Sequence, residues 1–295
     1  MPVVIAPDVQ AALDRGRPVV ALESTLIAHG LPRPDNRAVA GRIERVVRGH
    51  GAVPATIAVL DGTVHIGLTG EQLDRVANED IAKLGIRDLP AAIAFGTSGA
   101  TTVASTAVLA ARAGVSVFAT GGLGGVHRET GYDESADLPA LARTSILVVC
   151  AGVKSILDVA ATLERLETLS VTVLGYGTDR FPGFYLTDSG HPLDWRVDTP
   201  GQAAAVFAAR RGLTPGAVVV ANPIPAAEQL DPALHDRVLA EARAGSARDG
   251  VSGKAVTPYL LARLHEGTAG ASLAVNTTII LRNAELAARI AVELG

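Results

Sequence analysis

The chain has one cysteine, Cys150, among 295 residues. An internal disulfide is therefore excluded, and a reducing compartment is the natural expectation. Aromatic residues are also scarce, at 3%, although 48% of the chain is apolar. A core so composed must rely on Ala, Val and Leu, which suits helices packed on β-branched strands. Positive charge is not in excess, since the net charge is -4. No basic field exists to draw in nucleic acid or an anionic membrane, so any anionic ligand must be held by a local site. No apolar run stays free of polar residues for the about 18 positions of a membrane span. The opening MPVVIAPDVQAALDRG has neither the basic start nor the long apolar stretch of a signal peptide. A cytoplasmic protein with no membrane or nucleic-acid partner is expected. GxxxxGK[ST] is missing throughout, and GxGxxG is missing from the first strand-to-helix turn, which argues against a P-loop nucleotidase and a dinucleotide fold. The seven histidines show no HExxH and no close spacing to cysteine, so zinc is not indicated.

What is present is an alternation of short apolar runs with longer segments of helical period, the pattern of α/β layers. Residues 19–23, 55–60, 91–95, 115–122, 145–152, 171–177 and 216–223 read as strands. Helices are predicted over 36–49, 71–79, 99–113, 136–143, 154–168, 202–211, 226–244, 257–265 and 273–294. Residues 179–200 concentrate Pro, Gly and aromatics and read as an excursion or lid between two halves. No fixed-period repeat or low-complexity tract interrupts the chain.

Polar residues gather at the ends of the predicted strands, where open α/β sheets bind their ligands. Glu23 ends the apolar run VVALE. It is either a solvated surface acid or a carboxyl whose pKa is raised by an apolar setting, fit to act as a general acid. GTSGATT and GGLGGVHR are Gly-rich turns whose backbone N–H groups suit a phosphate. In the first, ordinary helix capping is the competing explanation. Asp133, Glu134 and Asp137 fall within five residues and offer oxygens to Mg2+ or Mn2+, or else decorate a helix N-terminus. Lysine is scarce, most of the positive charge being Arg, so Lys83 and Lys154 stand out. In VVCAGVKSILD an apolar run leads Lys154 into a predicted helix start, where the dipole disfavours a cation. Either Lys154 snorkels to solvent or it is a low-pKa nucleophile toward a carbonyl or iminium carbon.

The stretches ALESTLIAHGLPRPDN, GAVPATIAVLDG, SGATTVASTAVLAARAGVSVFATGGLGGVHR, SADL, VVCAGVKSILD and ANPIP occur in that order. With the closing GK..TPYLLARL...GTAGASLAVNTTIILRNA they resemble the pseudouridine-5'-phosphate glycosidase family from about residue 3 to 294. The resemblance implies one α/β domain over 1–295, a three-layer α/β/α fold with a large, mostly parallel or mixed sheet. It implies a homotrimer, a divalent metal, usually Mn2+, and reversible cleavage of a carbon–carbon glycosidic bond to give uracil and ribose 5-phosphate. By motif, Lys154 matches the covalent lysine, Glu23 the proton donor and Asp137 a residue associated with the metal, partly through water. Lys83, Thr120, His127, Ser135, Ala136 and Asn276 match substrate-binding positions, with Thr120 and His127 on the phosphate and ribose side and Asn276 at the base. The chain departs from the family pattern at Ile86, Phe95 and Ala255, where Arg, Lys and an acid are common. A C-glycoside synthase acting on a different base is the alternative within the same fold.

Overall fold

The computed structural model describes residues 1–128, 133–251 and 255–295. Its strands are β1 Val3–Ile5, β2 Val19–Glu23, β3 Val53–Leu60, β4 Thr63–Ile66, β5 Ala82–Leu84, β6 Gly99–Thr101, β7 Val117–Ala119, β8 Leu147–Cys150, β9 Thr172–Tyr176, β10 Arg196–Val197 and β11 Val218–Ala221. They form one sheet in the order β1-β4-β3-β2-β7-β8-β11-β9-β10, with β6 paired to β3 and β5 to β6. Only β3 with β4 and β3 with β6 run antiparallel among these pairs.

Alternate strand residues feed two different cores. Val20, Leu22, Val149 and Val220 pack with the helices Asp35–Gly49, Pro200–Leu213 and Ala271–Leu294. Ala21, Phe118, Val148 and Val219 pack with the helices Pro7–Asp14, Val103–Arg112, Asp137–Arg143 and Val159–Thr168. Both sheet faces are thus covered, which is why the central strands read as continuous apolar runs. Each fully buried Val or Leu contributes about 1.5–3 kcal/mol toward holding the layers together. A third cluster joins Phe181, Phe184 and Tyr185 to the helices Pro232–Arg248 and Val256–Gly267. The excursion over 179–200 rejoins the same sheet as β10.

Register brings the polar residues together. The first five residues of β3 pair with β2, ending at Glu23 opposite Ile57. The next residue of β3, Ala58, pairs with Ala100 of β6, and Ala100 pairs with Lys83 of β5. Lys83 is therefore linked to the end of β2 through β3 and β6.

Four expectations are corrected. Residues 91–95 are not a strand: Pro90 starts the helix Leu89–Ala94, because an apolar run this short fits either structure and proline at a first turn favours the helix. The strand lies instead in GTSGATT, at Gly99–Thr101, where a Cβ on Gly99 would overlap Leu84. The following helix begins at Val103, capped by Thr102, whose hydroxyl accepts from Ser105 N–H. The GTSG turn is therefore not an anion cradle at a helix start. The helix predicted from 154 begins at Val159, since Asp158 accepts from Ala161 N–H at 3.0 Å and sets the start there. Finally, the helix predicted over 226–244 is Pro232–Arg248, set by the Asp231 cap.

Candidate active site

Lys154 follows β8 in a turn closed by Leu157 N–H donating to its carbonyl at 2.9 Å. Its own N–H donates to Leu123 O at 3.1 Å, in the glycine-rich segment. No helix dipole acts on it from a start at this residue, so the position of Lys154 rests on strand β8 and this turn. Its side chain meets Glu23, Thr25, Lys83 and Thr257 at the junction of two cavities.

The first cavity, about 440 Å3, is the more polar of the two and carries most of the charged side chains. Besides the junction residues, it is lined by Arg87, His127, Asp133, Ser135, Ala136 and Asp137. The second, about 280 Å3, is largely apolar, with Leu26, Phe184, Pro258 and Leu261 on its wall and Asn276 among them. Seven of the nine predicted site residues thus border the polar cavity, and Asn276 borders the apolar one. Thr120 borders neither: it is fully buried behind Glu23.

Glu23 is the electrostatic centre. It is only 9% exposed at the end of β2, and Thr120 Oγ1 donates to its Oε1 at 2.5 Å. Burial pushes its carboxyl above the ordinary carboxylate range, Lys154, Thr120 and Lys83 pull it back, and Asp137 adds to the rise. The expectation of a raised pKa is met, and burial is the main cause. Thr120 is itself braced, because Asn283 Nδ2 donates to its carbonyl at 2.8 Å.

Asp137 holds the polar wall together. Its Oδ1 accepts from Ala104 N–H at 2.9 Å and its Oδ2 from Gly124 N–H at 2.7 Å. One carboxylate thereby ties the start of the helix Val103–Arg112 to the glycine-rich turn. Those two N–H groups are spent on Asp137, so they are not free for a phosphate. The glycines serve close approach: a Cβ on Gly124 would overlap Ser135 and Asp137, and one on Gly125 would overlap Thr162. Ser135 Oγ accepts from Asp137 N–H at 3.1 Å.

The three acids of DESAD all line the first cavity but take different partners. Glu134 is taken by Arg165 in a two-pronged ion pair at 2.8 and 3.2 Å. Asp133 stays on the cavity wall, and its carbonyl accepts from His127 N–H at 2.9 Å. Among the described residues no three metal-ligating side chains cluster. The donor set fits a divalent ion that keeps most of its water, with Asp133 and Asp137 as the carboxylates that could hold it, and does not fit a protein cage.

Sequence reasoning passed over Thr257, Arg87 and Asn283. Thr25 is visible in the sequence among the polar residues that follow the strand ending at Glu23, but without a role. Asn283 is a buried polar residue on a helix that reads as a plain apolar stripe. Of the three departures, Ile86 lies on the polar wall, while Phe95 is 82% exposed and borders neither cavity. Ala255 is exposed, and Gly253 and Lys254 beside it lie outside the described residues.

The family model described as indigoidine synthase A like protein matches residues 8–293. A pseudouridine-5'-phosphate glycosidase from Salinispora tropica is 64% identical over 97% of this chain and 90% of its own length. One from Streptomyces griseus is 61% identical over 98% and 91%. Among solved structures, the prealnumycin C-glycosynthase AlnA in complex with ribulose 5-phosphate superposes with a TM-score of 0.92 at 38% identity, covering 100% of this chain and 97% of that one. An indigoidine synthase A-like protein from Thermotoga maritima gives 0.91 at 33%, with the same coverage. The chain belongs to the indigoidine synthase A-like family.

Proposed function

We propose that the protein reversibly cleaves the carbon–carbon glycosidic bond of pseudouridine 5'-phosphate, giving uracil and ribose 5-phosphate. The observation that carries this reading is the junction itself: a buried acid and a lysine stand where a polar cavity meets an apolar one. A sugar phosphate suits the polar side, a planar base the apolar side, and the bond between them then lies at Glu23 and Lys154. Relatives more than 60% identical and named for this activity support the same reading.

A C-glycoside has no leaving oxygen or nitrogen to protonate, so the usual two-carboxylate glycosidase chemistry does not apply. Glu23, whose carboxyl holds its proton more tightly because it is buried, gives that proton to the ribose ring oxygen as the ring opens, leaving C1' electrophilic and conjugated with the base. The neutral amine of Lys154 adds at C1' and loses a proton. The C1'–C5 bond then breaks, C5 takes up a proton to release uracil, and the nitrogen lone pair of Lys154 forms the imine. Water hydrolyses the imine, freeing ribose 5-phosphate and restoring Lys154. Lys83 and His127 line the polar side that faces the phosphate and ribose, and Asn276 faces the base. Asp137 and Thr120 fix the geometry by holding the glycine-rich turn and Glu23. A divalent ion, most readily Mn2+, held at Asp133 and Asp137, would offset the phosphate charge. A homotrimer and a cytoplasmic location belong to this reading.

Borohydride reduction in the presence of ribose 5-phosphate should leave a mass adduct on Lys154. Absence of the adduct, or its survival in Lys154→Ala, sinks the mechanism. The likeness to a C-glycosynthase supports a second reading, in which ribose 5-phosphate is joined to another base. Incubation with pseudouridine 5'-phosphate and Mn2+ separates the two: rapid uracil release favours the glycosidase, and binding of ribose 5-phosphate with no uracil release from pseudouridine 5'-phosphate favours the synthase.

A further inference from the structure

Asn276 lines more than one cavity. A further cavity of about 250 Å3 adjoins the apolar chamber, with His29, Leu261 and Asn276 common to both walls. On the far side lie Tyr185, Ala262 and His265. Glu23, Lys83 and Lys154 border the first two chambers and not this one. Substrate atoms that enter it are therefore remote from the bond being broken. They are atoms projecting from the base on the side away from the sugar.

Size and unmet hydrogen bonding agree on an occupant. The apolar chamber of about 280 Å3 already admits a single six-membered ring. Joined to its neighbour, it enters the range of about 300–1,000 Å3 that buries drug-sized ligands. Asn276 Oδ1 and His265 Nδ1 are both buried with no hydrogen-bond partner among the described residues. A buried polar group left unpaired is destabilising. Both atoms belong to residues that line the further cavity. Tyr185 and Leu261 add apolar surface to its wall.

We propose that the protein accepts C-nucleotides whose base carries an apolar substituent or fused ring on the edge remote from the glycosidic carbon, seated between Tyr185, Ala262 and His265. This rests on the reading of Lys154 and the apolar chamber as a C-glycoside site, and it deepens that reading by naming the class of base.

The test compares pseudouridine 5'-phosphate with its N1-benzyl derivative, measuring release of uracil and of N1-benzyluracil. The wild-type enzyme should cleave the benzyl compound with a kcat/KM within about tenfold of the parent. Ala262→Trp fills the further cavity and should lower kcat/KM for the benzyl compound by about 10–200-fold, the span of discrimination that an apolar pocket supplies. The parent should be unaffected, and an unchanged melting temperature with a parallel result for Ala262→Phe guards against misfolding. A wild-type enzyme that turns over the parent and ignores the benzyl compound overturns the proposal. So does an Ala262→Trp enzyme that loses both substrates equally, because the cavity is then the route by which uracil leaves. If neither substrate is cleaved and ribose 5-phosphate leaves no adduct on Lys154, the C-glycosidase reading itself has failed, and this inference falls with it.

Discussion

Glu23 shows what a site costs at the scale of one residue. Its carboxyl is buried, and burial holds its pKa above the ordinary value of 4.5. Below 4.5 it is protonated whether the chain is folded or not, and no penalty arises. As pH rises past 4.5 the unfolded chain ionises first, so stability falls until the folded pKa is passed, and the penalty then stays constant. Glu23→Gln removes that penalty. Its melting temperature relative to wild type should climb as pH is raised from about 4.5 toward neutrality. A difference that stays flat, or that falls with pH, contradicts the assignment. Thr120 acts on the same carboxyl from behind. Thr120→Val deletes a hydrogen bond that favours the ionised form, so the Glu23 pKa should rise further and the alkaline limb of the kcat profile should move to higher pH. The same change leaves a buried oxygen short of a donor, at a cost of about 1–3 kcal/mol in denaturant unfolding. Glu23 was legible as a carboxyl at the end of an apolar strand. The role of Thr120 was not, because a threonine after FA reads as a strand end until the neighbouring strand places Glu23 beside it.

Elements, more than residues, decide how the polar wall is assembled. The helix predicted from 154 raised the suspicion about Lys154 on a physical premise that does not hold: the helix starts at Val159, and a turn carries the lysine. An Asp four residues on was the overlooked signal, since Asp is as favoured a cap as Ser155 and the Asp158 side chain accepts from Ala161 N–H. The strand Gly99–Thr101 was hidden for the converse reason. Three residues are too few to show a period, and a Gly-Ser-Gly sequence reads as a turn. GGLGGVHR was legible as more glycine than a turn requires, but the reason is close packing against Ser135, Asp137 and Thr162. Gly124→Ala tests that reason. Its methyl group would overlap the Ser135 and Asp137 side chains and displace Asp137 from the Gly124 N–H. Stability should fall by about 1–3 kcal/mol, as for other overpacked sites. Activity should fall beyond what lost stability explains when assayed well below the melting temperature. Thr69→Ala is the control, because Thr69 caps the helix Gly70–Asn78 and borders neither cavity. It should cost about 1 kcal/mol of stability and leave turnover unchanged.

At the scale of the whole molecule, the layered α/β architecture was legible because alternating strand and helix patterns with apolar central strands have few other solutions. The strand order was not, since pairing β11 between β8 and β9 joins residues more than forty positions apart with nothing local to announce it. Nor does the sequence show whether residues 179–200 divide the chain. In the structure β8, β9, β10 and β11 lie side by side, so the sheet crosses that segment without a break. Glu23, Thr120 and Lys154 stand at the ends of β2, β7 and β8, which are adjacent strands of this one sheet. A ligand at their junction is therefore coupled to the sheet as a whole. Ribose 5-phosphate at one hundred times its Kd should stabilise the folded state by about 2.7 kcal/mol through mass action. Because one sheet carries the site, calorimetry should show a single transition that moves upward as a unit, with near- and far-ultraviolet dichroism coincident. Two transitions, only one of which responds to the sugar phosphate, would mean that the segment over 179–200 separates independently folding halves despite the shared sheet.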